Sequence, residues 1–172
     1  SWYSIITMSP NFSFLKNYQQ LQHPITYDEL IDLGYAIIGC SETDDGAFWN
    51  NALPTRLLNL SEVKQVEDTL KYYSRVPCFY FEKSPELKPF LSMLTSQGYK
   101  KVFEDAWQFW SSKEVENNHF ELVKKVENED ELKVFIDAFS ASYQKDDPQN
   151  PYGDQATYIP SLSRAWHMHH KT

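Results

Sequence analysis

The chain has 172 residues, of which 41% are hydrophobic and 16% aromatic, enough to bury a core and to exclude a disordered tail. Acidic residues outnumber basic ones by 24 to 16, and the net charge of −8 argues against duplex nucleic acid as a partner. No apolar run reaches the roughly 18 residues of a membrane span, and no signal peptide is recognisable, so we expect no membrane partner.

The two cysteines lie far apart in the chain. Cys40 and Cys78 each belong to an apolar, strand-like run. Such residues are typical of buried thiols in a reducing compartment. We therefore expect neither a disulfide nor a catalytic thiol, and we expect a cytoplasmic protein.

The first predicted element is a helix. Ser9 and Pro10 suit its N-cap and first helical position, and Pro24 ends it because the residue before a proline leaves the α region. A second short helix is expected over residues 27–31, stopped by Gly34. The apolar residues of the first helix recur at helical spacing: Phe14, Leu15, Tyr18 and Leu21.

A buried hairpin is predicted next. Residues 35–40 form a short continuous apolar run, which is typical of a buried strand. The sequence Asp44-Asp45-Gly46 is a turn signal. Residues 48–53 would form the returning strand, which Pro54 would end.

The middle of the chain repeats one pattern, a Ser-capped amphipathic helix followed by an aromatic strand. Ser61 is the predicted cap of the first helix, and residues 77–81 form its strand. Ser84 is the predicted cap of the second helix, Gly98 its C′ residue, and residues 99–110 the next strand. The apolar stripe of the first helix comprises Val63, Val66, Leu70 and Tyr73.

The last third of the chain begins with a polar linker at residues 111–118. A strand is predicted over residues 120–126, and Asn128 with a Glu three residues later predicts a capping box. A loop at residues 146–153 and a short helix at 160–166 follow. One face of the capped helix carries Leu132, Phe135, Ile136, Phe139 and Tyr143. Alternating helices and strands with one hairpin predict a mixed-sheet α/β sandwich.

Two parts of this pattern resemble a known family. The middle of the chain resembles the N-terminal half of two-domain GNAT-type N-acetyltransferases. The resemblance rests on the Asn-rich strand at residues 48–53, the two Ser-capped helices, the aromatic strand at residues 76–81 and the pair Gly98-Tyr99. In that group, a degenerate acetyltransferase-like domain precedes the catalytic one. Residues 123–166 resemble the opening of the catalytic domain, so the resemblance covers about three-quarters of the chain.

The resemblance implies an α/β sandwich of the GNAT type that is incomplete at its C-terminus. Residues 1–115 would be the degenerate domain, and residues 119–172 the start of the catalytic domain. The activity implied is N-acyl transfer from acyl-CoA, with acetyl-CoA as the co-substrate, to a small-molecule or peptide amine. No catalytic residue is assigned. The acceptor side would be lined by Phe139, Tyr143, Asp147 and Tyr152.

Glycine positions bear on the cofactor. The family holds the pyrophosphate of acetyl-CoA in a loop of pattern Gln/Arg-x-x-Gly-x-Gly/Ala, where backbone N–H groups approach the phosphates at a helix N-terminus. None of the five glycines fits this pattern: Gly34, Gly39, Gly46, Gly98 and Gly153. We therefore expect the acyl-CoA site beyond Thr172 and no cofactor bound by this chain.

A non-catalytic interaction or ligand-binding module on the same scaffold is the alternative function. His167 and His170 could share a helix face, but a metal needs more ligands, so no metal site is predicted. The aromatic strands are more typical of a core than of a stacking platform for bases or sugars. Asp146 and Asp147 favour a basic amine acceptor over an anionic one.

Overall fold

The structure is a computed structural model that describes residues 12–102, 104, 106, 120–142 and 158–170. The chain folds as two compact units, Ser1–Phe109 and Trp110–Thr172. That these units correspond to the acetyltransferase domains 1–115 and 119–172 stays a prediction. In chain order the elements are α1 (Phe12–Leu21), β1 (Glu29–Asp32), β2 (Ala36–Cys40), β3 (Asn51–Pro54), α2 (Leu60–Tyr72), α3 (Lys88–Ser96), α4 (Glu129–Ala141) and α5 (Tyr158–His170).

The first unit is built on a three-stranded antiparallel sheet with the order β1-β2-β3. Every residue of β2 and of β3 is buried, whereas β1 at the edge is partly exposed. α2 packs its apolar stripe of Val63, Val66 and Leu70 into the core that includes Ala36, Ile38 and Cys40 of β2. Each buried side chain of this kind contributes about 1.5–3 kcal/mol. The described residues are therefore mixed α/β, as the sequence predicts.

A parallel contact extends β3 beyond the named strands. Ala52 N donates to Cys78 O, and Tyr80 N donates to Ala52 O, both at 2.9 Å, so that Phe79 pairs in parallel with Ala52. The predicted strand at 77–81 is thus a single bridge rather than a ladder. Because α2 connects β3 to this segment, the connection is a strand–helix–strand crossover of the kind that parallel pairing requires.

The N-terminal predictions are partly wrong. α1 is a helix, but Phe14 and Leu21 of its predicted stripe are 60% and 73% exposed, and the buried residues are Phe12 and Gln19. The second helix predicted at 27–31 is instead β1. The apolar residues of that stretch pair with β2, and tertiary pairing overrides a helical pattern this short. Ser9 and Pro10 lie outside the described residues.

The predicted hairpin is confirmed in outline, with a longer connection. β2 pairs antiparallel with β3, and residues 41–50 join them. Phe48 and Trp49 lie in the connecting turn, and Pro54 is the last residue of β3. Gly39 in β2 provides space for the Tyr27 ring, since a Cβ at Gly39 would lie 2.5 Å from Tyr27 Cε1.

The helix caps of the first unit differ by a residue or two from those predicted. Asn59, not Ser61, is the N-cap of α2, and the Ser61 hydroxyl donates to Asn59 Oδ1 at 2.7 Å. Ser84 begins a 3₁₀ turn (Pro85–Leu87) that leads into α3. Gly98 follows the C-cap of α3 with φ of 88°, as predicted for a C′ glycine. Residues 99–102 form no strand, and the rest of the predicted strand is described only at residues 104 and 106.

The second unit has no strand at residues 120–126 in its described part. A 3₁₀ turn (Phe120–Leu122) stands there instead, and Leu122 and Val123 are both 71% exposed. Asn128 caps α4 by accepting from Glu131 N at 3.0 Å, as predicted. The Glu131 carboxylate accepts from Glu127 N rather than from Asn128 N. The helix predicted at residues 160–166 is confirmed, and the observed helix α5 is longer, Tyr158–His170.

α2 ends in a Schellman motif without a glycine. Arg75 N donates to Leu70 O and Ser74 N donates to Lys71 O, both at 2.9 Å, which is the paired hydrogen bonding of that motif. Ser74 occupies the C′ position with φ of 58°. A non-glycine residue in this region is strained, because Cβ approaches the following carbonyl oxygen.

Ser74→Gly is therefore expected to stabilise the protein by about 0.5–1 kcal/mol, the relief of left-handed strain less the backbone entropy of glycine. Chemical denaturation measures the change in the free energy of unfolding. Ser92→Gly, in the interior of α3, is the matched control and is expected to destabilise by about 0.5 kcal/mol, the difference in helix propensity between serine and glycine. A loss of stability in Ser74→Gly would contradict the strain.

Candidate functional site

Two shallow surface clefts flank α2. The larger has a volume of about 520 Å³ and lies between α2 and β1. The smaller, of about 260 Å³, lies near the end of α3 and is lined in part by Glu67, Gly98 and Tyr99. The larger cleft is lined by Ile31, Ser61, Lys64, Gln65, Asp68, Thr69, Tyr72 and Tyr73. Hereafter it is called the β1–α2 cleft.

A polar contact marks one end of the β1–α2 cleft, and a carboxylate influences the other. Where β1 turns into β2, the Tyr35 hydroxyl donates to Gln65 Oε1 at 2.5 Å, and the Arg56 guanidinium lies 5.3 Å from the centroid of the Tyr35 ring. At the other end, desolvation and then the nearby Glu29 carboxylate raise the pKa of Tyr73. β1 and α2 thus run side by side along the cleft.

The charges around this cleft do not balance. Lys64 Nζ lies 2.5 Å from Asp68 Oδ1, so these two charges offset each other. β1 adds the exposed carboxylate of Glu29 on the face of the strand that carries Ile31, whereas Asp32, which is also exposed, lies on the opposite face. The cleft therefore has a negative rim.

The N-terminus of α2 is occupied by its own side chains. Asn59 Oδ1 accepts from Glu62 N at 3.0 Å, and Glu62 Oε2 accepts from Asn59 N at 2.9 Å, which is a reciprocal capping box. Arg56 donates to both Glu62 oxygens, at 2.6 and 3.0 Å. A carboxylate thus occupies the place where an anionic ligand would approach the helix.

The N-terminus of α4 is closed to anions in the same way. Asn128 fills the cap, and the first turn carries the three acidic residues Glu129, Asp130 and Glu131. Phosphate binding at a helix N-terminus needs free N–H groups and a positive field. Neither α2 nor α4 offers that combination.

The capping box of α2 should make stability depend on pH. The hydrogen bonds from Arg56 lower the pKa of Glu62 from its ordinary value of 4.5, with a further contribution from Asn59 N–H. A carboxylate with a lowered pKa stabilises the fold fully above pH 4.5 and loses that effect as the pH falls through the lowered pKa.

Glu62→Gln is expected to lower the free energy of unfolding at pH 7 and to lower it less at pH 3, because the contribution of a carboxylate with a lowered pKa diminishes as the pH falls. Urea denaturation at both pH values measures the difference. Glu42→Gln, on an exposed residue of the loop between β2 and β3, is the control. The cap would not be the cause if the two variants lost the same stability at both pH values.

A buried amide organises the connection between β2 and β3. Asn50 is 1% exposed and uses its whole hydrogen-bonding capacity. Its Oδ1 accepts from Ser41 N at 2.8 Å and from Arg75 Nε at 2.9 Å. Its Nδ2 donates to Asp44 O at 2.6 Å and to Gly46 O at 3.0 Å. One side chain therefore joins both ends of the loop.

Arg75 ties this loop to the end of α2. Besides its bond to Asn50, it donates from a terminal nitrogen to Ser41 O at 2.7 Å. Arg75 is placed by the Schellman motif, since its own N–H is bonded to Leu70 O. The end of the helix and the loop are thus fixed together. We call Ser41, Asn50 and Arg75 the Asn50 network.

Asn50→Ala is expected to destabilise the protein by about 2–4 kcal/mol, because it leaves the buried Ser41 N–H and two carbonyls without their partner. Thermal or urea denaturation followed by circular dichroism measures this loss. Asn17→Ala, on the exposed surface of α1, should change stability by less than about 0.5 kcal/mol. Equal effects of the two substitutions would show that the network is unimportant.

The thiols lack the features of a nucleophile. Burial raises the pKa of Cys40 to about 11 against an opposing effect of Arg75, and burial raises that of Cys78 to about 11. Both are free thiols. At neutral pH they are protonated, whereas a catalytic cysteine needs a lowered pKa.

Of the four predicted acceptor-side residues, the described part of the chain contains one. Phe139 lies half-buried on α4, and its ring centroid is 6.1 Å from that of Phe135. Tyr143, Asp147 and Tyr152 lie outside the described residues. Their role stays a prediction.

The C-terminal histidines make helix contacts. His170 stacks on Trp166 with ring centroids 4.2 Å apart, and His167 Nε2 lies 3.5 Å from Glu129 Oε1. Trp166 Nε1 donates to Val126 O at 3.1 Å, which joins α5 to the segment before α4. The described residues contain no group of three side chains that could hold a metal ion.

The sequence interpretation missed the Asn50 network and the β1–α2 cleft. The paired amides Asn50-Asn51, next to a strand and after a turn, were the available signal for the network, because Asn readily bonds local backbone groups. The cleft had no signal, since the stretch that forms β1 was interpreted as a helix.

No family model, no curated protein and no solved structure matches this chain. Within the described ranges, no helix has the length and hydropathy needed to cross a membrane.

Proposed function

We propose that the chain is part of an N-acyltransferase of the GNAT type, in which residues 1–115 are a degenerate, non-catalytic acetyltransferase-like domain. The order of elements supports this proposal. β3, α2, the bridged segment at Phe79, α3 and Gly98 follow one another in the order that the family resemblance implies. The same order of elements supports our proposal that the mixed α/β fold is a sandwich of the GNAT type.

The occupied N-terminus of α2 carries the assignment of a non-catalytic role. In the resembling family, a helix N-terminus holds the pyrophosphate of acetyl-CoA. At the N-terminus of α2, Glu62 instead brings a negative charge, and Asn59 bonds the backbone of the first turn. A pyrophosphate would be repelled, because it would compete with a carboxylate for the same N–H groups and the same field. The residues that bind acyl-CoA are therefore sought outside the described ones.

The proposed reaction is direct transfer. A neutral amine of the acceptor attacks the thioester carbonyl of acetyl-CoA, the carbon–sulfur bond breaks, and the CoA thiolate leaves and takes up a proton. The acceptor side comprises Phe139, Tyr143, Asp147 and Tyr152, and a carboxylate there would attract a basic amine. The free thiols fit a reducing compartment, and we propose the cytoplasm.

Two experiments with acetyl-CoA test the assignment. Titration calorimetry on the 172-residue chain should give no binding heat. The product of the complete open reading frame should release CoA thiol from acetyl-CoA in the presence of an amine panel of polyamines, amino acids, aminoglycosides and peptide N-termini. The 172-residue chain is the matched control for that assay.

Each result decides one part of the proposal. Tight binding of acetyl-CoA by the 172-residue chain would contradict the placement of the cofactor site. If the product of the complete reading frame released no CoA with any amine, acyl transfer itself would be wrong. The alternative, a non-catalytic interaction module, would then stand, and the β1–α2 cleft is the observation that favours it.

A further inference from the structure

The β1–α2 cleft adjoins an edge strand with outward-facing backbone groups. Within the described residues, β1 pairs only with β2. Leu33 N donates to Ala36 O at 2.9 Å where the two strands meet. Antiparallel residues alternate between hydrogen-bonded and non-hydrogen-bonded pairs. Leu33 belongs to a hydrogen-bonded pair, so by this alternation Leu30 and Asp32 belong to non-hydrogen-bonded pairs. The backbone N–H and C=O groups of Leu30 and Asp32 therefore point away from β2.

α2 provides a side wall along this edge. Ile31 is the contribution of β1 to the lining of the cleft, and Tyr72 and Tyr73 lie at the C-terminal end of the helix. Tyr72 is 82% exposed, so an aromatic face is available to a ligand. A strand edge beside a helix can bind an extended peptide, whose backbone continues the sheet while alternate side chains enter the cleft.

The charge along the edge strand determines which kind of peptide segment it would bind. Glu29 and Asp32 are exposed carboxylates, whereas Lys64 is already paired with Asp68. The two carboxylates lie on opposite faces of β1, so a segment with Lys or Arg at alternate positions can place its basic side chains on the face of Asp32 and its other side chains on the face of Ile31. Two copies of β1 paired about a two-fold axis would bring these carboxylates together, which is unfavourable. Residues 1–8 of the chain itself contain no basic side chain.

We propose that the β1–α2 cleft binds an extended, basic segment of a partner protein by strand addition to β1. The backbone of the segment pairs with Leu30 and Asp32, and its apolar side chains contact Ile31 and Tyr72. Its basic side chains, on the opposite face, approach Asp32. This interaction lies beyond the proposed acyl transfer and does not depend on it.

Fluorescence anisotropy with three labelled peptides tests the proposal on the 172-residue chain. The probe is acetyl-Lys-Val-Lys-Val-Lys-amide. One control has Glu in place of Lys, and the other is the basic peptide with alternate backbone nitrogens methylated, which keeps the charge but removes strand pairing. The basic probe is expected to bind at least about tenfold more tightly than either control, a difference of about 1.4 kcal/mol. Amide hydrogen exchange of Leu30 and Asp32 should slow when it binds.

Two variants locate the binding. Leu30→Pro removes an outward N–H from the edge strand, where proline is tolerated, and should abolish binding of the basic probe. Tyr72→Ala removes an exposed ring without affecting the core and should weaken binding at least about threefold, as expected for the loss of an aromatic contact. Leu91→Ala, on an exposed residue of α3 outside the cleft, is the matched control and should bind normally.

Three results would overturn the proposal. Slow exchange of the Leu30 and Asp32 amides in the free chain would show that the edge is already paired, whether by residues 1–8 or by a second copy. Equal binding of the methylated peptide would show attraction by charge alone. Unchanged binding to Tyr72→Ala would place the peptide elsewhere, and this variant keeps the test valid if Leu30→Pro does not fold.

Discussion

The side-chain amide of Asn50 is the constraint on which the described part of the first unit depends. A ten-residue connection between two buried strands leaves many backbone groups to be satisfied, and unpaired buried groups are costly. Asn50 bonds both ends of that connection and meets Arg75 from the end of α2. The register of β2 with β3 and the position of α2 on the sheet are therefore fixed by one group of hydrogen bonds. Hydrophobic burial of Val63, Val66 and Leu70 gives the energy, but it does not specify direction as hydrogen bonds do.

The same helix has two ends with different chemical roles. At its N-terminus, Asn59, Glu62 and Arg56 satisfy the backbone and bring in negative charge, which disfavours an anionic cofactor. At its C-terminus, Ser74 accepts a strained conformation that places Arg75 in the Asn50 network. Along its side, α2 forms the wall of the β1–α2 cleft. α2 thus serves structure and, in our proposal, peptide binding.

The sequence predicted helices better than strands, for a physical reason. α2, α3, α4 and α5 each carry several turns of periodic apolar residues or a local cap, and both signals depend only on near neighbours in the chain. A strand needs a partner that is distant in sequence. The aromatic stretch at residues 77–81 therefore forms one bridge where a strand was predicted, and residues 27–31 contribute to β1 where a helix was predicted. The stripe of α1 was found at the right spacing, yet Phe12 and Gln19 are its buried residues.

Local sequence patterns and composition were enough to predict the mixed α/β class, the buried strand β2, the apolar stripe of α2, the C′ role of Gly98 and the acidic surface. Each follows from composition or from contacts within a few residues. The folded structure was needed to show that Asn50 joins both ends of a loop to Arg75, 25 residues away in sequence, and that β1 and α2 flank a cleft. Those features depend on which groups distant in sequence come into contact. The pairing of backbone and side-chain polar groups across the sheet determines those contacts, and the pattern of a single segment does not.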